Sequence, residues 1–486
     1  MGNHEPLLII GALLLILSVV SSKVARPLGV PSLIIFIGIG MIAGSEGLGG
    51  IEFTNAAWAQ ALGVVALVYI LFAGGLDTDL KAVRPVLVSG GVLGTVGVII
   101  TCLLTGAFAH WLLDFNWWES FLLGAIVSST DAGAVFTVLR EKSIRFKGRV
   151  QPLLEFESGI NDPMTVLLTV GFIALLTGKI ATPWELLPRF LIELVSGTLI
   201  GIGSGYAMAW LLNRIKLEAE GLYPVLSFAC VLFIYSMTQS LGASGFLAVY
   251  LCGLVLRHQV FIHKKSLILF HEGFAWIMQI AMFLALGLLV FPSQLVVVTQ
   301  EGVALSAFLV FVARPVAVFL SLAGAQFNFR EKLLISWVGL RGSVPIIFAT
   351  YPLLAGIGKA ELIFNLVFFI VLTSVLVQGT GVARVARWLR VDAPIQKKVR
   401  FPLEYIPTGN MMSDLVAVQV PKHSPIVGKS ILELGLPKDA LVVLIQRKGN
   451  VIVPKGGTHL EVDDAMLVLA EKSALAEVHR LVGPQA

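Results

Sequence analysis

Long apolar segments follow one another through the first 390 residues, and they constrain the fold more than any other feature of this sequence. A helix needs roughly 20 mostly apolar residues to cross a bilayer. Only 13% of the residues are charged, whereas soluble domains carry about 25%. The sequence therefore predicts an all-α polytopic membrane protein. About 13 transmembrane helices are expected, or 12 if the short eighth and ninth are one, at 6–22, 30–45, 58–76, 85–112, 118–139, 150–178, 187–213, 222–240, 242–257, 268–291, 298–324, 331–356 and 360–388.

The basic residues predict the orientation of these helices. Sixteen lysines and arginines lie in loops that follow odd-numbered segments, and three lie in loops that follow even-numbered ones. Cytoplasmic loops carry the excess of positive charge. We therefore expect a multi-pass protein of the cell (inner) membrane with its N-terminus outside and its C-terminus in the cytoplasm. The formal net charge of the chain is +5, and the basic residues lie in these loops. Membrane lipids are therefore expected partners, and nucleic acid is not.

Two segments carry residues that interrupt a helix. The fifth contains Ser128–Asp131, whose side chains compete for backbone hydrogen bonds. The twelfth has Gly339, Gly342 and Pro345 around Arg341. Segments four to six and eleven to thirteen run in opposite senses, and each triplet has its broken helix in the middle. This arrangement predicts an inverted repeat.

The composition changes beyond Arg390, so the sequence predicts three regions. Residues 1–390 form the transmembrane domain, 391–412 a proline-containing linker and 413–486 a small cytoplasmic α/β domain. A domain of about 75 residues has a small core and gains from a dimer partner. Its expected strands are 415–420, 441–447, 451–453 and 465–470, and its expected helices are 430–434 and 473–482.

Carboxylates at bilayer depth mark the candidate functional site. Asp131 and Asp162 both lie about 18–20 Å into their segments at 1.5 Å per residue, which is near the middle of a core roughly 30 Å thick. Ser158 is four residues before Asp162 and shares its helix face. A carboxylate with neutral oxygens beside it can bind a monovalent cation or a proton, and that competition is the minimum chemistry of an antiporter. No metal other than the transported cation is expected.

The other polar residues receive supporting roles. Asp131 can neutralise a half-helix N-terminus, and Thr130 can offer an oxygen to the cation. We expect Arg341 to form a structural ion pair with Glu157. Glu155, seven residues before Asp162, is a further candidate, either as a ligand or as a helper near the cytoplasmic mouth.

Four stretches resemble the NhaP-type (CPA1) monovalent cation/proton antiporters. They are SSTDAGAV, ESGINDP, LGASGFLAVYLCGLVL and WVGLRGSVPI, which begin at residues 128, 157, 241 and 337. The resemblance covers about residues 6–390. It implies an NhaA-like fold with two crossing broken helices, and a homodimer.

The resemblance also implies roles for individual residues. Asp162 would bind the proton and the cation, with cation contacts from Thr130 and Ser158. Asn161 and Asp131 would support the helix crossing, and Glu157 would pair with Arg341. Residues 413–486, with IVGKSILELGLP and IVPKGGTHLEVDDAMLVLA, resemble the TrkA-C (RCK C-terminal) domain, which implies a small-molecule regulator such as a nucleotide.

These observations together favour a secondary antiporter rather than an enzyme, and no catalytic residue or resident cofactor is expected. The combination of domains is similar to that of potassium/proton antiporters of pH homeostasis, so K⁺/H⁺ exchange is the first choice and Na⁺/H⁺ exchange the alternative. A ligand-gated cation channel is a second class. An intramembrane serine protease is a third, because Gly242–Gly245 fits G-x-S-G, but within the predicted segments only His110 lies near the same outer side.

Overall fold

The computed structural model describes residues 4–28, 32–53, 55–141, 144–394, 413–421, 424–437, 439–447 and 449–482, which form two compact units with a boundary after residue 395. The first unit is almost entirely helical. Its helices are α1 His4–Leu28, α2 Ser32–Ala43, α3 Ala56–Asp77, α4 Leu80–Val83, α5 Leu87–Val92, α6 Val98–Leu113, α7 Trp117–Ile126, α8 Ala132–Glu141, α9 Val150–Leu176, α10 Leu186–Arg214, α11 Leu222–Ser240, α12 Gly245–His258, α13 Lys264–Leu289, α14 Pro292–Val297, α15 Thr299–Phe308, α16 Arg314–Ser321, α17 Phe329–Trp337, α18 Val344–Leu354, α19 Ala360–Ser374 and α20 Thr380–Trp388.

Eight helical stretches within the described residues are long and apolar enough to cross a membrane, judged by length and composition. They are Ala56–Asp77, Leu80–Leu113, Val150–Leu176, Pro183–Arg214, Leu222–Ser240, Lys264–Leu289, Thr299–Ser321 and Ala360–Trp388. The protein is therefore a mostly helical polytopic membrane protein. Shorter apolar helices accompany these eight, so the total of thirteen crossings stays a prediction.

Both predicted interruptions appear as breaks between two short helices. The chain leaves helical geometry between α7 and α8, and again between α17 and α18. In the first break, the Ser128 hydroxyl donates to the carbonyl oxygen of Ala125 at 2.6 Å. Both α7 and α17 begin with the same capping box, Asn116 with Glu119 and Asn328 with Glu331. This shared start of the two middle helices supports the inverted repeat.

Glycines hold α12 tightly between two neighbouring helices. A Cβ at Gly75 of α3 would overlap the backbone of Tyr250 in α12, and a Cβ at Gly201 of α10 would meet the backbone of Ala248. Only glycine permits backbones to approach this closely, which is the common packing device of membrane helices. Helix α12 is therefore fixed against α3 and α10.

One prediction about the linker was wrong at its N-terminal end. The short strands β1 Ile144–Phe146 and β2 Asp392–Pro394 pair antiparallel, so the chain just beyond α20 is hydrogen-bonded to the loop after α8. Two strands that pair across a long sequence separation have no recognisable local sequence pattern. The prolines of this region indicated a linker rather than a strand. The rest of the predicted linker, 395–412, lies outside the described residues.

The second unit contains a four-stranded antiparallel sheet in the order β3-β6-β4-β5. The strands are β3 Ser413–Gln419, β4 Ala440–Arg447, β5 Asn450–Ile452 and β6 Ala465–Glu471, and helix α21 spans Lys472–Val482. The predicted strands and the C-terminal helix match these elements within one or two residues. The other predicted helix is a 3₁₀ turn at Ile431–Leu434.

A charge cluster links β4 to the loop before β6, with Asp464 buried and Arg447 partly exposed. The Arg447 guanidinium donates to both carboxylate oxygens of Asp464 at 2.9 and 2.8 Å and to Glu461 at 2.7 Å. These contacts raise the pKa of Arg447. Asp464 is 1% exposed, so it depends on the guanidinium for compensation.

Arg447→Met should therefore destabilise this unit by about 2 kcal/mol, because a charge-assisted hydrogen bond contributes roughly 1.5–3 kcal/mol. Limited proteolysis of the full-length protein across a urea series measures the effect. Arg480→Met, which removes an exposed charge from α21, is the control. Equal protection of both variants would show that the cluster contributes nothing to stability.

Candidate ion-binding site

Residues of the two helix breaks and of α3, α8, α9, α12 and α13 line a cavity of about 260 Å³. Asp131, Ser158, Asp162 and Ser343 all line it. Asp162 is 6% exposed and stands on the long helix α9. The sequence prediction that Asp131, Ser158 and Asp162 lie together is consistent with this geometry.

Asp162 has a hydrogen-bond partner that the sequence reasoning missed. The Ser129 hydroxyl donates to Oδ1 of Asp162 at 2.5 Å. Ser129 is 1% exposed and belongs to the break between α7 and α8. The run of hydroxyl residues before Asp131 was the available signal, but a run cannot say which of its members faces another helix.

Thr130 and Ser158, the two predicted cation ligands, are joined by a hydrogen bond between the helix break and α9. The Ser158 hydroxyl donates to the carbonyl oxygen of Thr130 at 3.1 Å. Asn161 donates through Nδ2 to that carbonyl at 3.2 Å and to the Thr130 hydroxyl at 2.5 Å. Asn161, one residue before Asp162, thus holds the non-helical backbone at Thr130 against α9.

Asp131 stabilises the beginning of a half-helix and the crossing of the two breaks. Its Oδ1 accepts the backbone N–H of Ala134 at 3.0 Å, in the first turn of α8. Its own backbone N–H donates to the carbonyl oxygen of Leu340 at 2.7 Å, so the two breaks touch. A Cβ at Gly342 would overlap the Asp131 carboxylate. The negative charge thus lies at the positive end of a half-helix.

The predicted ion pair of Glu157 with Arg341 was wrong. Glu157 binds Arg314 of α16, with Nη1 at 2.7 Å from Oε1 and Nη2 at 3.0 Å from Oε2. Both side chains are 1% exposed. A π-helical turn, Leu309–Ala313, immediately precedes Arg314, and such turns redirect the side chains that follow them. The two groups form a close ion pair with one hydrogen bond, from Nη2 to Oε2.

Arg341 instead neutralises the ends of two half-helices. Its Nε donates to the carbonyl oxygen of Val127, just past α7, at 2.9 Å, and its Nη1 donates to the carbonyl oxygen of Gly339, just past α17. The carbonyls at a helix C-terminus carry partial negative charge and lack intrahelical partners. A single guanidinium thus contacts both helix ends, and these carbonyl oxygens are its hydrogen-bond acceptors in place of the Glu157 carboxylate.

Glu155 lines the same cavity two turns of α9 before Asp162. It accepts a hydrogen bond from Gln151 at 3.0 Å. Among the described residues, no group of three or more His, Cys, Asp and Glu side chains could hold a metal ion. Asp162 stands in a cavity that also contains the hydroxyl of Ser158 and the carboxylates of Asp131 and Glu155. A carboxylate with neutral oxygens beside it suits a monovalent cation or a proton.

A polytopic helical protein with two crossing interrupted helices around a buried carboxylate has the design of a secondary transporter. The chain belongs to the sodium/hydrogen exchanger family, because the family model for the transmembrane sodium/hydrogen exchangers matches residues 12–388. A TrkA-C domain matches residues 415–483.

Curated relatives and solved structures agree with this assignment. The chain is 38% identical to the K⁺/H⁺ antiporter NhaP of Alkalimonas amylolytica over 482 residues, which is 99% of this chain and 83% of that protein. It is 39% identical to the K⁺/H⁺ antiporter NhaP2 of Shewanella sp. strain ANA-3, covering 97% and 82%. The fold resembles the sodium proton antiporter MjNhaP1 from Methanocaldococcus jannaschii, with a TM-score of 0.69, 24% identity and coverage of 79% and 99%.

Proposed function

We propose that the protein exchanges K⁺ for H⁺ across the cell membrane. The observation that carries the proposal is the single buried Asp162, which has Ser129 as its hydrogen-bond donor and opens onto the cavity between the helix breaks. The names of the curated relatives, K⁺/H⁺ antiporters over nearly the whole chain, support potassium as the cation. Na⁺/H⁺ exchange is the alternative.

Competition for Asp162 produces the exchange in this proposal. A bare carboxylate is costly to move through a low-dielectric barrier. The site therefore changes its access only when Asp162 carries a proton or a cation. The carbonyl and hydroxyl oxygens of Thr130 and Ser158 stand in for water around a partly dehydrated cation, and Asn161 keeps these oxygens in place.

The charge balance of the site predicts electroneutral exchange of one cation for one proton. Glu157 is matched by Arg314, Asp131 by a half-helix N-terminus, and Arg341 by two half-helix C-termini. Asp162, whose hydrogen-bond donor is the uncharged Ser129, is then the carboxylate that binds and releases the transported ions. A membrane potential acts on each net charge moved with about 2.3 kcal/mol per 100 mV. Proteoliposomes clamped at different potentials should therefore reach the same equilibrium gradient. A shift of that gradient with voltage would require a second proton, and Glu155 is the first residue to test.

Uphill transport tests the proposed class against a channel. An imposed proton gradient should drive K⁺ into proteoliposomes against its own gradient, whereas a channel dissipates gradients only. The same assay with K⁺, Na⁺, Li⁺ and Rb⁺ measures the cation preference. Exchange with Na⁺ but not with K⁺ would overturn the assignment of K⁺ as the transported cation. It would still support cation/proton antiport.

The remaining features of the proposal concern assembly and regulation. The protein acts as a homodimer in the inner membrane, with its N-terminus outside and the TrkA-C unit in the cytoplasm. Residues 1–390 carry out the transport, and residues 391–412 link the two domains. Residues 413–486 bind a small-molecule regulator such as a nucleotide. The excess of basic residues in alternate loops supports the orientation, and the TrkA-C match supports regulation.

Truncation after residue 395 should leave a folded exchanger with an altered response to pH or effectors. The two units are separately compact, so the membrane unit does not need the second unit to bury its own core. Exchange rates across a pH series, with and without adenine nucleotides or cyclic dinucleotides, measure the response. An unchanged profile under all of these conditions would remove the regulatory proposal.

A further inference from the structure

Ser374, the last residue of α19, and Gln378, in the turn that follows, bind the second helix break. Both side chains are buried, at 3% and 1% exposed. The Ser374 hydroxyl donates to Oε1 of Gln378 at 2.6 Å. Its oxygen accepts the backbone N–H of Arg341 at 3.0 Å, inside the break between α17 and α18. Gln378 donates through Nε2 to the carbonyl oxygen of Trp337, the last residue of α17, at 2.8 Å.

The Gln378 amide determines the direction of the Ser374 hydrogen bond. Its Nε2 donates to a backbone carbonyl, so Oε1 is the amide atom that meets the serine. An amide oxygen can only accept, so the single hydroxyl hydrogen of Ser374 goes to it. The lone pairs of the serine oxygen then remain for the N–H of Arg341. Gln378 thus keeps Ser374 as an acceptor for the helix break.

Two peptide groups connect this contact to the ion site. The N–H of Arg341 and the carbonyl of Leu340 belong to one peptide group, and that carbonyl accepts the N–H of Asp131 at 2.7 Å. The N–H of Asp131 shares its peptide group with the carbonyl of Thr130, which accepts hydrogen bonds from two side chains of α9. A continuous row of hydrogen bonds therefore runs from α19 to the Thr130 carbonyl. Hydrogen bonds in such a row polarise and strengthen one another.

The two helix breaks are held in the same way. In the first triplet of segments, Asn161 of α9 holds the break between α7 and α8 through the carbonyl of Thr130. In the second triplet, Gln378 holds the break between α17 and α18 through the carbonyl of Trp337. In both, a buried amide on the third segment binds the interrupted middle segment. Gln378 lies in the π-helical turn Val375–Gly379, and such turns are frequent at functional sites.

We infer that Ser374 and Gln378 are positioning residues for exchange, because they hold the Thr130 carbonyl in the orientation that binds the cation. The inference rests on the proposed exchange function, in which that carbonyl is a cation ligand. The two side chains act through the second helix break and do not themselves contact the transported ions. Their loss should therefore weaken cation binding while the carboxylate of Asp162 stays in place.

Ser374→Ala interrupts the row of hydrogen bonds with a small change of volume. The full-length variant in proteoliposomes should show about a fivefold rise in the K⁺ concentration for half-maximal exchange, which corresponds to about 1 kcal/mol. The maximal rate should stay within about twofold, because Asp162 is unchanged. A protein that only folded less well would lose maximal rate and keep its half-saturation.

Gln378→Met keeps the approximate size of the side chain and removes both hydrogen-bonding groups of the amide. It should raise the half-saturation in the same direction. The double variant should show no larger rise than Ser374→Ala, because residues that act as one unit are not additive. If Gln378→Met does not fold, Ser374→Ala alone decides the outcome. A double variant whose rise is the product of the two single rises would overturn the single row.

Asn365→Leu is the matched control, because it removes a buried amide from the same helix. Asn365 is 8% exposed, and its Nδ2 donates to Gln294 of α14 at 2.9 Å rather than to a helix break. The control should melt below the wild-type protein, because it also loses a hydrogen bond, but its half-saturation should be unchanged.

An unchanged half-saturation in Ser374→Ala, or an equal rise in the control, would overturn the positioning role. Exchange by the wild-type protein would then still support the proposed function. A wild-type protein that exchanges no cation for protons would overturn both.

Discussion

Asp162→Asn should reduce cation/proton exchange by at least about 100-fold, in line with the contribution of a positioned proton-transfer group. Asparagine keeps the size of the side chain and can still meet the Ser129 hydroxyl, which donates to Asp162 at 2.5 Å. It carries neither a titratable proton nor a negative charge for the cation. The measurement is cation-driven proton movement in proteoliposomes, followed with a pH-sensitive dye.

Glu155→Gln is the matched control for this substitution. It makes the same chemical change in the same cavity, two helical turns away on α9. The control should retain exchange, with at most a modest change in half-saturation. The melting temperatures of both variants should lie near that of the wild-type protein. If Asp162→Asn exchanges at a near-normal rate, the transported ions do not bind at this carboxylate.

Breaking the pair of Glu157 and Arg314 should have the largest effect on stability. Each side chain is 1% exposed, and two contacts of 2.7 and 3.0 Å join them. Removing one partner of a buried pair leaves an uncompensated charge and costs about 3–5 kcal/mol. Glu157→Gln and Arg314→Met should each melt well below the wild-type protein in detergent. The double variant should recover most of the loss, because it leaves no buried charge.

A double-mutant cycle distinguishes this pair from the pair that the sequence predicted. The coupling of Glu157 with Arg314 should exceed its coupling with Arg341, since Arg341 donates to the carbonyl oxygens of Val127 and Gly339. Arg341→Met should destabilise the helix crossing whether or not Glu157 is present. Equal coupling to both arginines would show that the three charges act as one network. Coupling to Arg341 alone would restore the predicted pair.

Much of the architecture could be predicted because it depends on local pattern. Apolar length determines which segments can enter a membrane, and this property needs no knowledge of neighbours. The hydroxyl run Ser128–Asp131 and the glycines around Arg341 interrupt their own helices by competing for, or failing to stabilise, nearby backbone hydrogen bonds. The helix face shared by Ser158 and Asp162 follows from the four-residue spacing alone.

The missed contacts all join distant parts of the chain. Ser129 reaches Asp162 across 33 residues, and Tyr250 reaches Gly159 from another helix. Neither contact has a spacing that a helix or strand would impose. Ser129 was overlooked in favour of its neighbour Thr130, because adjacent residues in a non-helical break point in different directions, and only the crossing determines which one faces α9.

The arginine that pairs with Glu157 shows most clearly what the sequence alone does not determine. By itself the sequence determined that buried Glu157 needs a cation, because an unpaired charge at that depth is too costly. The sequence predicted Arg341 as that cation and assigned no role to Arg314, which lies in the preceding segment. Only the tertiary structure decided between them: the helix crossing brings the carbonyl ends of α7 and α17 to Arg341, and the π-helical turn before Arg314 places its guanidinium at Glu157. The physical reason is that a buried cation binds whichever unsatisfied oxygens the packing places around it, and packing is a property of the whole fold.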